Sequence, residues 1–196
     1  MRSFDHINFA SIGETDLLDF IEGRHHAYSK TMLKLMIRNF RSASKSNPRH
    51  LDQIQDLVSL LEQIEGKMNK LITQEEESLF PFIRKLIEIK EQPEPIRFLN
   101  VKLMESSIRR IKEEHTHVEA LLHSLKRLSR NFHPPTHSNE LLKLCFAELQ
   151  EFNDGCTDNL MREKEILFPK MIDLEREVMR QTSNALEGRS TLSNDD

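Results

Sequence analysis

The chain has 196 residues, with 31% charged and 6% aromatic side chains, 5 glycines, one tyrosine and no tryptophan. A net charge of −4, spread over interspersed acidic and basic residues, leaves no basic footprint for nucleic acid. No apolar run approaches the ~20 residues that span a bilayer, and the first sixteen residues lack the apolar core of a signal peptide, so the expected compartment is the cytoplasm.

Residues 1–14 form a short N-terminal segment. The apolar positions Leu18, Ile21, Met32, Leu33, Met36 and Phe40 then recur at helical spacing, which predicts a first helix from about Thr15 or Asp16 to near Arg41. The stretch 42–50 breaks that pattern. Asn47 as cap and Pro48 at the first helical position start a second helix, whose apolar stripe runs through Leu57, Leu61, Ile64, Met68 and Leu71. Pro81 falls inside this helix and predicts a kink, because the apolar pattern resumes beyond it and ends only near residue 91.

A third helix is expected over 97–131, and a fourth from about Thr136 to about 182, with Pro169 inside it. Cys145 and Cys156 fall on that fourth helix, eleven residues or roughly 16 Å apart, too far for a disulfide. Residues 184–196 are polar and are expected to form a disordered tail. The predicted fold is therefore all-α: an antiparallel up-down-up-down four-helix bundle over 15–183.

The bundle is internally repeated. "EEESLFP" at 75–81 returns as "EKEILFP" at 163–169, so Glu75 corresponds to Glu163 at an offset of 88. His26 corresponds to His115 at an offset of 89. Each half thus carries a histidine on its first helix and a glutamate before Leu-Phe-Pro on its second. Packed about a pseudo-twofold axis, the halves bring two imidazoles and two carboxylates together, the donor set from which helical bundles build iron or manganese sites. His50 shares a helix face with Glu75 but lies ~38 Å from it along a straight helix, so it reaches the centre only if that helix bends or starts late.

The segments "DFIEGRHHAY", "NPRHLDQI", "EEESLFP", "IKEEHTHVEALL" and "EKEILFP" resemble, in order and spacing, those of hemerythrin-like domains, closest to the type that repairs iron–sulfur clusters after nitrosative or oxidative stress. That resemblance implies a non-haem di-iron centre held by five histidines and two glutamates. By motif it assigns His26, His50, Glu75, His115 and Glu163 as metal ligands, and it implies a small diatomic ligand or an iron–sulfur protein as partner. Two ligand positions depart from the pattern. Leu71 and Asn159 stand one turn before the glutamates, where the family has histidine. Five of seven expected ligands remain.

Two other readings stand beside an iron protein. One is a metal-free bundle that keeps the fold as an interaction or regulatory domain, with the histidines paired to the glutamates. The other is an oxygen-binding hemerythrin. Glu22, His25 and His137 are possible replacement ligands, although adjacent helical residues point ~100° apart, so only one of His25 and His26 should face the centre. His117, His123 and His133 read as surface or loop residues, and Leu79, Phe80, Leu167 and Phe168 as core packing. The sequence carries no nucleophile triad, phosphate loop or zinc-type cysteine cluster, and it leaves oligomeric state open.

Overall fold

The computed structural model describes residues 9–91 and 103–192. Four long helices are built from consecutive segments. Helix α1 (14–46) comprises Glu14–Phe20, Ile21–His26 and Ala27–Ser46. Helix α2 (51–91) comprises Leu51–Gln74, Glu75–Leu79 and Phe80–Glu91, after a single 3₁₀ turn at Pro48–His50. Helix α3 is Leu103–Leu128, and α4 (140–192) comprises Glu140–Arg162, Glu163–Leu167 and Phe168–Leu192. An all-α bundle is what the apolar spacing predicts, and no strand occurs among the described residues.

Neighbouring helices run antiparallel. Along the α1–α4 seam, Asn47 meets Asn139, Asn39 meets Glu148 and Ser29 meets Cys156, so one number falls as the other rises. The core between the helices is filled by Leu33, Met36, Phe40, Leu61, Ile64, Phe146, Leu149 and Phe152, all essentially without solvent exposure. Burying side chains of this size stabilises the fold by about 1.5–3 kcal/mol each.

The disruption expected at Pro81 and Pro169 takes a defined form. Immediately before each proline the helix widens into a π segment, and the amide of Phe80 donates to the Glu75 carbonyl as that of Phe168 does to Glu163. A proline cannot supply an amide to the preceding turn, and the wider turn absorbs the mismatch. A third π segment, Ile21–His26, ends at His26. His115 alone of the four central residues sits in unbroken α-helix.

Several boundaries differ from the expected ones. Helix α1 starts one residue early at Glu14, after extended Gly13, with Glu14 and Asp16 favourably placed in its first turn. It continues to Ser46, and Asn47 stands as N-cap of the following 3₁₀ turn with Pro48 at its first position, but its side chain makes no capping bond: its amide donates back to the Ala43 carbonyl (2.8 Å) and across to Asn139 (3.1 Å). Helix α3 stops at Leu128, since Arg130, Asn131 and Phe132 all adopt left-handed backbone, and its expected start at 97 lies outside the described residues. Helix α4 begins at Glu140, where the Asn139 side chain accepts from the Leu142 amide, rather than at Thr136. It continues to Leu192, through residues expected to be disordered. The stretch includes Ala185, Leu186, Glu187 and Arg189, good helix formers opposed mainly by Gly188.

Candidate metal centre

Each helix delivers one group to the middle of the bundle. His26 comes from α1, Glu75 from α2, His115 from α3 and Glu163 from α4, and their exposures are 3%, 1%, 0% and 1%. The His115 Nε2 lies 3.3 Å from Glu75 Oε1 and 3.0 Å from Glu163 Oε2, and His26 Nε2 lies 3.2 Å from Glu75 Oε2. The repeated Leu-Phe-Pro phrase contributes its phenylalanines to the same layer. Phe80 stacks on His26 at 5.5 Å between ring centroids and an interplanar angle of 6°, and Phe168 packs on His115 at 5.4 Å and 37°. A helix that presents its glutamate to the centre therefore also braces the histidine of the helix beside it.

Electrostatics divides the two carboxyls. Burial pushes the Glu75 carboxyl up, but hydrogen bonds from His115 and His26 outweigh that and hold it below the usual carboxylate range. Glu163 is pushed up to about 7, by burial first and by the Glu75 charge next. Burial opposes protonation of both imidazoles, yet hydrogen bonds to the carboxylates prevail. His26 is raised, and His115 is raised to about 9.

The residues present fit a metal ion. His26 Nε2, Glu75 Oε2 and Glu163 Oε2 are buried and meet ion-pair partners at 3.2 and 3.0 Å without a well-directed hydrogen bond, and a cation can take the place of the protons that such pairs share. Among the described residues one set of donors gathers tightly enough to share a cation: an atom each from His26, Glu75 and Glu163, all within 4.8 Å of one another. A cavity of ≈ 10 Å³, about the room of one water or one ion, opens on these three side chains and on Ser29, Cys156 and Asn159. One imidazole nitrogen with two carboxylate oxygens suits iron, manganese or zinc.

His115 contacts the same two carboxylates but falls outside that set. His50 is not brought to the centre. Its Nε2 donates to the Thr136 carbonyl (2.9 Å) at the far end of the bundle, tying the α1–α2 turn to the α3–α4 connection. The 24-residue segment Leu51–Gln74 separates it from Glu75 by roughly 36 Å of regular helix, without the bend that His50 would need to serve the centre.

The other candidates are also occupied elsewhere. Glu22 pairs with Arg84 (2.8 Å), and His137 lies in the α3–α4 connection with left-handed backbone. His25 faces away from the centre, as a neighbour of His26 on a helix must, but it is buried against Phe20 and burial pushes its imidazole down to about 4. Leu71 is buried core, and Asn159 donates to Glu163 Oε1, an orienting bond rather than a ligand bond.

Two participants escape the sequence pattern. Glu76 accepts from His26 Nδ1 (3.0 Å), and Cys156, buried two turns before Glu163, contacts Ser29 (3.7 Å) on the cavity wall. Glu76 looks like one of a run of surface acids, and only its partner on α1 sets it apart. Cys145 and Cys156 are both free and buried, as their spacing predicts.

Fold and site together define an all-α bundle with a buried histidine–glutamate centre. The chain is similar, at 22% identity over 166 residues, to a protein of Haemophilus influenzae described as "Probable iron-sulfur cluster repair protein". The similarity covers 85% of this chain and 69% of that protein, and it supports a hemerythrin-like relation at most. No family model matches the chain. Among the described residues no helix is long and apolar enough to cross a membrane.

Proposed function

We propose that the protein is a non-haem metal-binding bundle that holds one cation, iron in the first instance, between His26, Glu75 and Glu163, and that it serves in iron–sulfur cluster repair or the response to nitric oxide and oxidative stress. The observation that carries the metal is the set of three buried donor atoms within 4.8 Å of one another beside an ion-sized cavity. The repair role is supported by the description of the Haemophilus protein. Iron bound there would supply one-electron chemistry and open positions for a small ligand. His26 and the two glutamates would hold it, and the apolar wall of Met68, Leu71, Ile72 and Leu160 would keep bulk water out.

A single ion is favoured over the di-iron centre that the family resemblance implies. Leu71 has no donor atom, Asn159 is engaged with Glu163, and His50 is remote. Elemental analysis of protein made under iron-replete conditions, without tags or chelators, tests this. About one iron per chain is expected, lost in the Glu75→Ala/Glu163→Ala variant. About two would restore the dinuclear reading.

A second reading rests on the ion network itself. Two raised histidines beside two carboxyls form a self-neutralising cluster, consistent with a metal-free interaction or regulatory domain. Iron-replete protein that carries no metal, and whose melting temperature ignores both added iron and chelator, would favour that reading, because a ligand of the native state must stabilise it.

A further inference from the structure

The two halves carry the same ion pair with the charges exchanged. Four residues after His26, Lys30 reaches across to Glu76, the neighbour of Glu75, at 2.8 Å. Four residues after His115, Glu119 reaches across to Lys164, the neighbour of Glu163, also at 2.8 Å. Lys30 and Glu119 occupy equivalent places in the repeat, as do Glu76 and Lys164. The cross-helix bridge is kept in both halves while its polarity is reversed.

The reversal matters because of what lies behind it. In the first half the acid is on α2, where its Oε1 accepts a hydrogen bond from His26 Nδ1 (3.0 Å) while Lys30 donates to both of its oxygens. In the second half that position is an ammonium, and His115 Nδ1 is buried without a hydrogen-bond partner. Once it gives up its Nε2 proton to a metal, a ring whose Nδ1 donates to a carboxylate presents a lone pair at Nε2, with its orientation fixed and its basicity raised. The Nε2 of His26 is the nitrogen that faces Glu75 at the centre, 3.2 Å from its Oε2.

We infer that Glu76, held by Lys30, is a positioning residue that fixes His26 as an Nε2 ligand, and that the reversed pair Glu119–Lys164 withholds the same support from His115, so that the cation is bound at the His26 end of the centre. This inference rests on the metal-binding reading above and assigns the side of the site that binds.

The test is equilibrium titration with Fe(II), and with Zn(II) as a redox-silent probe, on the intact chain and on Glu76→Ala and Lys30→Met variants. Imidazole ¹⁵N shifts are read on the same samples, and far-UV circular dichroism checks the fold. Glu76→Ala should weaken binding by about 10–100-fold with the helix content intact. Its His26 ¹⁵N shifts should lose the Nδ1–H pattern. Lys30→Met keeps the Glu76–His26 bond and should weaken binding less. If Glu76 serves only the surface bridge, both variants lose similar thermal stability and both bind as the unaltered protein does. That result overturns the inference and leaves the metal-binding reading standing. No uptake by the unaltered protein overturns both.

Discussion

The first and second hairpins are alike in backbone and unlike in charge. Both place a glutamate at the start of a π segment, both follow it with Leu-Phe-Pro, and both lay that phenylalanine against a buried histidine. Glu75, however, lies against two imidazoles, whereas Glu163 lies against one imidazole and one amide. His26 has a carboxylate behind it and His115 has none. A repeat can thus preserve geometry through apolar and proline positions while a few polar exchanges give its two copies different chemistry.

The largest expected effect separates the two glutamates. In protein stripped of metal and held at pH 6, Glu75→Gln removes the anion that two buried histidines share. Breaking a buried pair of this kind costs about 3–5 kcal/mol. Glu163→Gln should cost much less, since a carboxyl raised to about 7 is mostly protonated at that pH and an amide imitates it. Urea unfolding of both variants measures the gap. Equal midpoints would mean that the two carboxyls are equivalent after all.

The same asymmetry predicts how stability follows pH. His115 is raised from 6.5 to about 9, so its contribution is complete below pH 6.5 and is lost as pH rises through 9. Glu163 is raised from 4.5 to about 7, so the preference of the fold for its neutral form is lost as pH rises from 4.5 through 7. Glu75 is lowered, and its contribution is lost only as pH falls below 4.5. With chelator present, melting temperature should therefore decline between pH 6 and 9.5. With metal added the decline should shrink, because a ligating histidine must be deprotonated and metal affinity rises with pH. Calorimetric scans with and without chelator check both trends.

A smaller effect comes from the position that replaces a histidine. Asn159→Leu copies Leu71 into the second half and leaves Glu163 Oε1 without its donor, at a cost of about 1–3 kcal/mol in the metal-free protein. The reverse exchange, Leu71→Asn, gives up apolar burial and puts an amide one turn before Glu75, whose oxygens already face His26 and His115. Thermal unfolding of the two single variants should thus show two losses of different origin. Only the loss from Asn159→Leu should shrink at low pH, where Glu163 is protonated.

Much of this asymmetry was written in the residue string, but not all of it was legible. The helices and the repeat follow from apolar period and offset, and the central His26, His115, Glu75 and Glu163 from that repeat together with the family resemblance. His50 misled because a shared helix face says nothing of distance along the axis, and the regular Leu51–Gln74 segment decides the matter. Asn47 takes the position of a cap, yet its amide goes to Ala43, four residues back, and to Asn139, 92 positions on, rather than to a capping bond. Lys30, Glu76, Glu119 and Lys164 look like solvated helix faces, and three-dimensional pairing alone gives their order a meaning. With exposures of 39% and 25%, Lys30 and Glu76 lie at the boundary between surface and centre, where composition cannot separate a solubilising charge from a supporting one.

That boundary pair also offers the subtlest way to sharpen the comparison. Exchanging the second bridge, Glu119→Lys with Lys164→Glu, keeps its ion pair but turns its polarity to match the first half. A surface pair of this exposure is worth about 0–1 kcal/mol in either direction, so the melting temperature should scarcely move. What should move is His115. A carboxylate at position 164 would sit where Glu76 sits relative to His26, giving the orphaned Nδ1 an acceptor and freeing Nε2 to bind. The expected result is a second step in the titration with Zn(II), which the unaltered protein lacks, while the first step keeps its midpoint. No second step, with His115 ¹⁵N shifts now reporting an Nδ1–H donor, would mean that missing ligands at Leu71 and Asn159 limit that half rather than its tautomer. An unchanged His115 spectrum would mean that the backbone asymmetry, a regular turn at His115 against a π segment at His26, keeps position 164 out of reach, and that the two hairpins differ in shape as well as in charge.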